Sequence, residues 1–317
     1  MARPLRLSFE NAVYHITARG NRREHIFYND EDRKRFLEKI NETCLKYSFV
    51  CFAYCLMDNH YHLFLKTLLP NISGGMHYLN TSYANWFKAR HKIVGVLFQG
   101  RYKSLIVDED SYGVHLSAYI HLNPYRAGIV KDLREYLWSS YPNYIDGEKS
   151  SVRLDTSLIL KQFDNDIEMA RRKYEAYVIE NRMMENPLKE SYKGIALGGK
   201  AFLQSIKERA KNIGNKREVP ETKALTAYTA EEIIQKVMAD FSIGREEIFN
   251  KKRGNFFRQM TLVLLKQFTP MSLKEIGGLF QMDYAAVSQA CKRHKEKIKH
   301  RDKSIRSRDE EVFNIET

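Results

Sequence analysis

The chain has 317 residues, about twice the length of a typical domain, so we expect more than one folded unit. Lys and Arg number 52 against 39 acidic residues, and the net charge of +13 favours nucleic acid over a neutral metabolite as partner. The cysteines are sparse and form no disulfide framework, and no apolar run approaches the ~20 residues of a membrane span. We therefore expect a cytoplasmic protein that is neither exported nor inserted in a membrane.

The first 145 residues predict an alternation of strands and helices. Alternating or continuous apolar runs predict strands at residues 13–19, 49–57, 60–66 and 104–107. Apolar residues at helical spacing predict helices at 30–47, 71–91 and 110–123, the last of which Pro124 ends. This order predicts an α+β fold, a ferredoxin-like antiparallel sheet with helices and one extra helix.

Beyond Trp138 the sequence becomes polar and predicts helices only. Helical segments are expected over 154–181 and 199–211, followed by a charged linker to residue 226 and an all-helical unit over 229–300. The predicted division is a first domain over 1–145, a helical extension and linker over 146–226, a helical domain over 227–300 and a charged tail over 301–317.

His60 and His62 are the first candidates for a functional site. They stand two residues apart at the start of a predicted strand, so both imidazoles point to one face and can reach one metal ion. The competing interpretation is a polar patch at the end of a strand, satisfied by neighbouring carbonyl groups. The two histidines alone therefore do not establish a metal site.

Tyr119 and Asn123 lie four residues apart in the predicted third helix and so share one helical face. The amide oxygen of Asn123 suits a hard cation, and a metal held by it and two imidazoles keeps open positions for catalysis. Mg²⁺ or Mn²⁺ would bridge a phosphate oxygen and favour the phenolate of Tyr119, whose ordinary pKa is about 10. Most of the 19 tyrosines must be packing residues, so only the combination carries weight.

Separated blocks of sequence resemble those of a known family. They are Met57-Asp-Asn-His-Tyr-His62, Phe98-Gln-Gly-Arg-Tyr-Lys-Ser104 and Tyr119-Ile-His-Leu-Asn-Pro-Tyr-Arg-Ala-Gly128, with the opening Tyr14-His-Ile-Thr-Ala-Arg-Gly-Asn-Arg22. From about residue 4 to 144 the chain resembles single-tyrosine HUH transposases, most of all the REP-associated tyrosine transposases. The family usually has Val where this chain has Tyr125, a position outside the proposed site.

The resemblance implies the HUH fold and a metal-dependent strand-transfer activity. By that resemblance, Tyr119 attacks a phosphodiester of single-stranded DNA, forming a 5′-phosphotyrosine and freeing a 3′-hydroxyl. His60 and His62 would hold the metal, with Asn123 as the third ligand. Related enzymes act as dimers or as monomers, so a homodimer is one of the expected states.

Basic and aromatic residues near these blocks suit a single-stranded or hairpin DNA. Trp86 or Tyr102 could stack on bases, and His115 could support the site one turn before Tyr119, whereas His121 is expected to be structural. Phosphates could be neutralised by Arg19, Arg22, Arg23, Arg101 and Lys103. For any one of these residues taken alone, a solvated surface charge or a core aromatic is the favoured interpretation.

The C-terminal sequence predicts a helix-turn-helix. Ser272 and Glu275 form a capping-box pattern before a helix to Phe280, and residues 281–283 turn the chain into a second, basic helix over 284–297. The competing interpretation is an amphipathic helical hairpin. Residues that could contact DNA are Tyr284, Ser288, Lys292 and Arg293.

Residues 230–298 are similar to the DNA-binding domain of the bacterial replication initiator DnaA. That family reads bases with a run of the Asp-His-Thr-Thr-Val type, where this chain has Asp283-Tyr-Ala-Ala-Val287. Short apolar side chains cannot make the same hydrogen bonds, so we expect duplex DNA binding with a different sequence preference.

The prediction for the whole chain is a metal-dependent tyrosine transposase with a C-terminal DNA-targeting domain. Two alternatives stay open: a metal phosphodiesterase in which water attacks the phosphate, and a DNA-binding regulator that keeps the fold without the activity.

Overall fold

The computed structural model describes residues 6–147, 150–211, 228–252, 254–269 and 271–299. The chain divides into two compact units, residues 1–222 and 223–317. The predicted linker beyond Lys211 and the predicted charged tail lie outside the described residues. Among the residues that are described, no helix combines the length and apolar character that crossing a membrane requires.

The first unit is built on one sheet. Its strands are β1 (Ala12–Arg19), β2 (Phe49–Met57), β3 (His60–Thr67), β4 (Lys103–Val107) and β5 (Ala196–Leu197). Their order is β2-β3-β1-β4-β5, antiparallel except for the parallel pair β4–β5. The predicted ferredoxin-like antiparallel sheet is thus confirmed, and the two-residue β5 is an addition to it that the sequence pattern did not indicate.

Helices cover both faces of this sheet. They are α1 (Asp30–Tyr47), α2 (Ile72–His91), α3 (Glu109–His121), α4 (Asn123–Arg126), α5 (Tyr141–Ile145), α6 (Ser157–Leu160), α7 (Ile167–Glu180) and α8 (Lys200–Lys211). Successive side chains of a strand point to opposite faces. Tyr61 of β3 accordingly packs on Phe36 of α1, whereas Phe64 joins the hydrophobic cluster that includes Leu116 of α3.

The chain around Pro124 differs from its prediction. Helix α3 ends at His121, and Pro124 lies in the first turn of α4, where its missing N–H has no helical partner to lose. The helical region after residue 154 is likewise broken, because α6 ends at Leu160 and α7 begins after Asp166. The Asp166 side chain caps α7 by accepting from the Met169 N–H.

The second unit is all-helical in its described part. Its helices are α9 (Ala230–Phe241), α10 (Arg245–Phe249), α11 (Phe256–Phe268), α12 (Leu273–Phe280) and α13 (Tyr284–Lys299). Ser272 and Glu275 form the predicted capping box at the start of α12. A Cβ on Gly277 would lie 2.4 Å from the Met282 carbonyl oxygen, so the tight turn between α12 and α13 depends on glycine there.

Candidate active site and nucleic-acid interface

The two histidines of β3 lie side by side on the face of the sheet that α3 covers. His60 is paired with Arg19 of β1 and Met57 of β2, and His62 is paired with Thr17 and Cys55. The centres of the two imidazole rings are 5.2 Å apart, with the ring planes at 74°. The structure therefore brings the predicted ligand pair together.

Tyr119 of α3 completes this group. Its ring centre lies 6.0 Å from that of His62, with the ring planes at 84°. Asn123 is the first residue of α4, not part of α3, but its side chain folds back on the preceding helix. Its Nδ2 donates to the carbonyl oxygens of Tyr119 at 2.8 Å and Ile120 at 3.2 Å, which leaves Oδ1 as the atom suited to a cation.

The ring nitrogens of both histidines have defined partners. Nδ1 of His60 is 2.7 Å from Oδ1 of Asn59, and Nδ1 of His62 is 2.9 Å from Nε2 of His15. Burial, with Arg19 nearby, lowers the pKa of His60 to about 4, and burial lowers the pKa of His62 well below its ordinary value. Both imidazoles are therefore neutral at pH 7, the form in which histidine binds a metal.

His60, His62 and Asn123 are the residues that could hold a divalent cation. Neutral imidazoles are donors for transition-metal ions such as Mn²⁺, and the Asn123 amide oxygen is a donor for Mn²⁺ or Mg²⁺; three such donors would leave open positions for substrate. Across the described parts of the chain, no cluster of three or more His, Cys, Asp or Glu side chains is arranged to hold a metal. A set of two histidines and an asparagine is not a cluster of this kind, because its third donor is an amide oxygen.

Arg126 is a neighbour of Tyr119 that the sequence pattern did not single out. Its guanidinium carbon lies 5.2 Å from the centre of the Tyr119 ring, and its Nη2 donates to the Met184 carbonyl oxygen. Burial raises the pKa of Tyr119, and the charge of Arg126 opposes that rise. Helical spacing from Tyr119 could not indicate this contact, because Pro124 was predicted to end the helix and Arg126 lies in the next helix, α4.

Helix α13 presents the predicted DNA-facing residues of the second unit. Tyr284 is 66% exposed at its start, and Lys292 and Arg293 are exposed near its middle. Ser288 is half-buried, because Val287 and Cys291 turn into the hydrophobic cluster of this unit. The exposed face of α13 is thus basic and aromatic.

Part of each unit matches a known protein family. Residues 8–123 match the family model described as IS200-like transposase. The first unit contains an IS200-like transposase domain. Residues 230–293 match the model described as the helix-turn-helix of bacterial DnaA protein, so the second unit contains a DnaA-type helix-turn-helix domain.

One solved structure similar to this chain is a REP-associated tyrosine transposase bound to a REP hairpin. The similarity covers 48% of this chain and 90% of that chain, with 17% sequence identity and a TM-score of 0.39. None of the curated protein sequences matches the chain.

One of the predicted phosphate-binding residues, Arg19, lies beside the histidine pair. Arg19 pairs with His60 across the sheet, and the loop that follows β1 carries the next two arginines of the predicted set. All of the predicted phosphate-binding residues are exposed: Arg19, Arg22, Arg23, Arg101 and Lys103. Arg22 and Arg23 both have positive φ, at 53° and 66°, an uncommon conformation for adjacent non-glycine residues.

Three further residues considered from the sequence, two aromatic residues and one histidine, have contacts elsewhere in the transposase domain or the helical extension. Tyr102 is only 6% exposed, which agrees with the favoured interpretation as a core aromatic and leaves little of its ring for stacking on bases. Trp86 is half-buried, and its ring packs against the guanidinium groups of Arg35 and Arg90. His115 is exposed, and its Nδ1 lies 2.8 Å from the Tyr177 hydroxyl, away from the histidine pair.

Proposed function

We propose that the transposase domain cleaves and rejoins single-stranded DNA, with Tyr119 as nucleophile. The observation that carries this proposal is the grouping of the Tyr119 phenol with His62 and Arg126 at the end of a strand. A phenol next to a neutral imidazole and a guanidinium is suited to phosphoryl transfer, because the guanidinium, and a cation held by the histidines, would stabilise the attacking oxygen and the phosphate.

The reaction balances as a transesterification. The Tyr119 Oη forms a bond to phosphorus while the bond from phosphorus to the 3′-oxygen breaks. The phenolic proton passes to solvent, and the departing 3′-oxygen takes a proton from water to become a hydroxyl. The 5′-phosphate remains esterified to Tyr119, and attack by another 3′-hydroxyl joins two strands and restores the phenol.

The chain supplies both nucleophile activation and cation binding. Burial holds the pKa of Tyr119 above its ordinary value, so the phenolate requires positive charge close by, and Arg126 provides part of it. His60, His62 and the Asn123 Oδ1 would hold a divalent cation, Mg²⁺ or Mn²⁺. When bound, that cation supplies Lewis-acid polarisation of the phosphate and further stabilisation of the phenolate.

The substrate we propose is single-stranded or hairpin DNA. Exposed Arg19 lies next to His60 across the sheet, and exposed Arg22 and Arg23 follow in the loop after β1, so all three can bind backbone phosphates of the DNA. Arg101 and Lys103 add positive charge at the start of β4. Such contacts position the strand without reading its sequence.

For the second unit we propose binding of duplex DNA through α13. Tyr284, Ser288, Lys292 and Arg293 are the side chains on this helix that would reach the major groove or its phosphates. Ala285 and Ala286 cannot donate hydrogen bonds to bases, so a sequence preference unlike that of the initiator follows.

The test of the catalytic proposal is incubation of the full chain with end-labelled hairpin DNAs from around its gene, with Mn²⁺, followed by denaturing electrophoresis. Tyr119→Phe is compared with Tyr125→Phe, which removes a hydroxyl six residues away. We expect a covalent protein–DNA adduct in wild type and Tyr125→Phe, and none in Tyr119→Phe, with DNA affinity retained.

The other outcomes separate the alternatives. Cleavage without an adduct in all variants supports hydrolysis by water. Tight hairpin binding with no cleavage in any variant, across a broad panel of hairpins, supports a non-catalytic regulator.

A further inference from the structure

We propose that Asn59 and His15 are positioning residues that fix the ring tautomers of His60 and His62, so that both rings present an unprotonated Nε2. This inference rests on the proposed function, because the tautomers matter for metal binding. The tautomers themselves can be measured in the metal-free protein. The hydrogen bonds on the two Nδ1 atoms are the observations that support it.

The Asn59 side chain is held in one orientation from both ends. Its Nδ2 donates to the Arg23 carbonyl oxygen at 3.0 Å, which requires Oδ1 to be the atom facing His60, 2.7 Å from Nδ1. An amide oxygen only accepts hydrogen bonds, so Nδ1 of His60 must carry the proton. A neutral His60 therefore has its lone pair on Nε2, the nitrogen left for a metal.

His15 contacts His62 through an imidazole, a group whose nitrogens can donate or accept. Its Nε2 lies 2.9 Å from the His62 Nδ1, and the rings stack with centres 5.2 Å apart. The side chains of both residues are buried, so the pair is neutral and one ring donates to the other. For His62 to offer its Nε2, its Nδ1 must donate to Nε2 of His15, and His15 then carries its proton on Nδ1.

Metal-binding histidines commonly donate their second N–H to a carboxylate, a carbonyl group or water, which fixes ring orientation and tautomer. Here an amide oxygen and an imidazole nitrogen occupy those two places. Both are uncharged, so the ligand pair gains orientation without the negative charge that a carboxylate would add near the phosphate of the DNA.

Asn59 also ties His60 to the arginine loop, residues 20–24. Besides the bond from its side chain to Arg23, its carbonyl oxygen accepts from the Gly20 N–H at 2.8 Å. Arg22 and Arg23 in this loop have the uncommon positive φ, which persists only where surrounding contacts hold it. One residue thus sets the ring orientation of a metal ligand and the backbone that presents two arginines to DNA.

The direct test is long-range ¹H–¹⁵N NMR of the metal-free, ¹⁵N-histidine-labelled full chain at neutral pH, with signals assigned by His60→Gln and His62→Gln. We expect a protonated Nδ1 and an unprotonated Nε2 on both rings. Asn59→Ala should give His60 a mixture of tautomers, and His15→Phe should do so for His62. His15→Gln retains an acceptor oxygen and should restore the wild-type signal of His62.

The second readout is Mn²⁺ affinity, measured by electron paramagnetic resonance of free Mn²⁺. Loss of such a supporting residue typically weakens metal binding by about 10- to 100-fold, which we expect for Asn59→Ala and His15→Phe. His77→Gln, on α2, is the matched control and should bind Mn²⁺ as wild type does. His15 is buried, so circular dichroism must first show that its variants fold, and the partly exposed Asn59 gives an independent test.

A wild-type spectrum with the proton on Nε2 of either ring would overturn the proposal, as would unchanged tautomers in Asn59→Ala. The proposed function fails separately: absence of a Tyr119 adduct, with both tautomers as expected, removes the covalent mechanism and leaves the positioning roles intact.

Discussion

The Tyr174 hydroxyl, on α7 of the helical extension, lies 2.7 Å from Nδ1 of His121, two residues beyond Tyr119 on α3. Nε2 of the same imidazole lies 2.8 Å from the Ser140 Oγ, and the Tyr174 hydroxyl also donates to the Ser117 Oγ at 3.1 Å. Both His121 and Tyr174 are fully buried. A network of buried hydrogen bonds therefore connects the helical extension to α3, the helix that carries the proposed nucleophile. This network fixes the position of α3.

Removing the Tyr174 hydroxyl tests how much this hydrogen-bond network stabilises the first unit. Tyr174→Phe leaves buried polar partners unpaired, and we expect it to lower the free energy of unfolding of the first unit by about 1–3 kcal/mol. Tyr177→Phe, one turn along α7, loses only a bond to the exposed His115 and should cost less than about 1 kcal/mol. Urea unfolding of both variants measures the difference, and equal losses would contradict a special role for the buried network.

Acid should destabilise the first unit through His121. Burial lowers the pKa of His121 to about 3 from its ordinary 6.5, so the unfolded chain binds the proton first as pH falls. The stability contribution of neutral His121 is complete above pH 6.5 and is lost progressively between pH 6.5 and 3, by about 1.4 kcal/mol per pH unit.

The measurement is urea unfolding across this pH range for wild type and His121→Gln. Because His15 behaves similarly, with a pKa of about 3, the variant should retain part of the acid sensitivity. A pH dependence as steep in His121→Gln as in wild type would exclude His121 as a contributor.

Arg126 should set the pH at which DNA is cleaved. Its charge lowers the pKa of Tyr119, so Arg126→Gln raises that pKa and moves the rising limb of the rate profile to higher pH. A tyrosine pKa that is higher by one pH unit lowers the phenolate fraction at neutral pH about tenfold. Single-turnover adduct formation against pH checks this.

Arg182→Gln provides the control for charge removal, because Arg182 lies over the ring of Tyr125 at 5.3 Å and not over Tyr119. Its profile should match wild type. If Arg126→Gln lowers the rate of adduct formation at every pH without moving the profile along the pH axis, Arg126 acts on something other than the phenol.

Duplex binding by the second unit should depend on the basic residues of α13. Lys292→Gln and Arg293→Gln should weaken binding to duplex DNA, and each lost phosphate contact should reduce the slope of log affinity against log salt by about 1. Lys266→Gln, on α11, removes an exposed charge of the same sign outside the two-helix motif. Fluorescence anisotropy over a salt series measures all three, and equal slopes throughout would argue against α13 as the contact helix.

The strands and long helices of the transposase domain could be predicted from sequence, because alternation and helical spacing are local signals. The bounds of β1, β3 and β4 differ from prediction by one residue. The two-residue β5 carries no such signal, since two residues cannot show alternation. The sequence alone could not decide between stacking and packing for Tyr102, because its burial depends on contacts with distant parts of the chain.

The histidine pair, Tyr119 and Asn123 could be proposed from sequence because each pair is close along the chain. His15, Asn59 and Arg126 were missed as members of the site. The contact of His15 with His62 depends on the register of β1 against β3, and the role of Asn59 depends on where the Arg23 carbonyl points. Neither contact can be predicted from the spacing of residues along the chain.

The hydrophobic cluster under α3 decides how this chain can be shortened. It joins Phe64 of the sheet and Leu116 of α3 to Ile159 of α6 and Tyr174 and Val178 of α7, all buried. The match to the transposase family ends at residue 123, well before the last of these side chains. A fragment cut at that limit, or at residue 145, would expose the apolar face of α3, the helix that carries Tyr119, and we expect it to aggregate instead of folding.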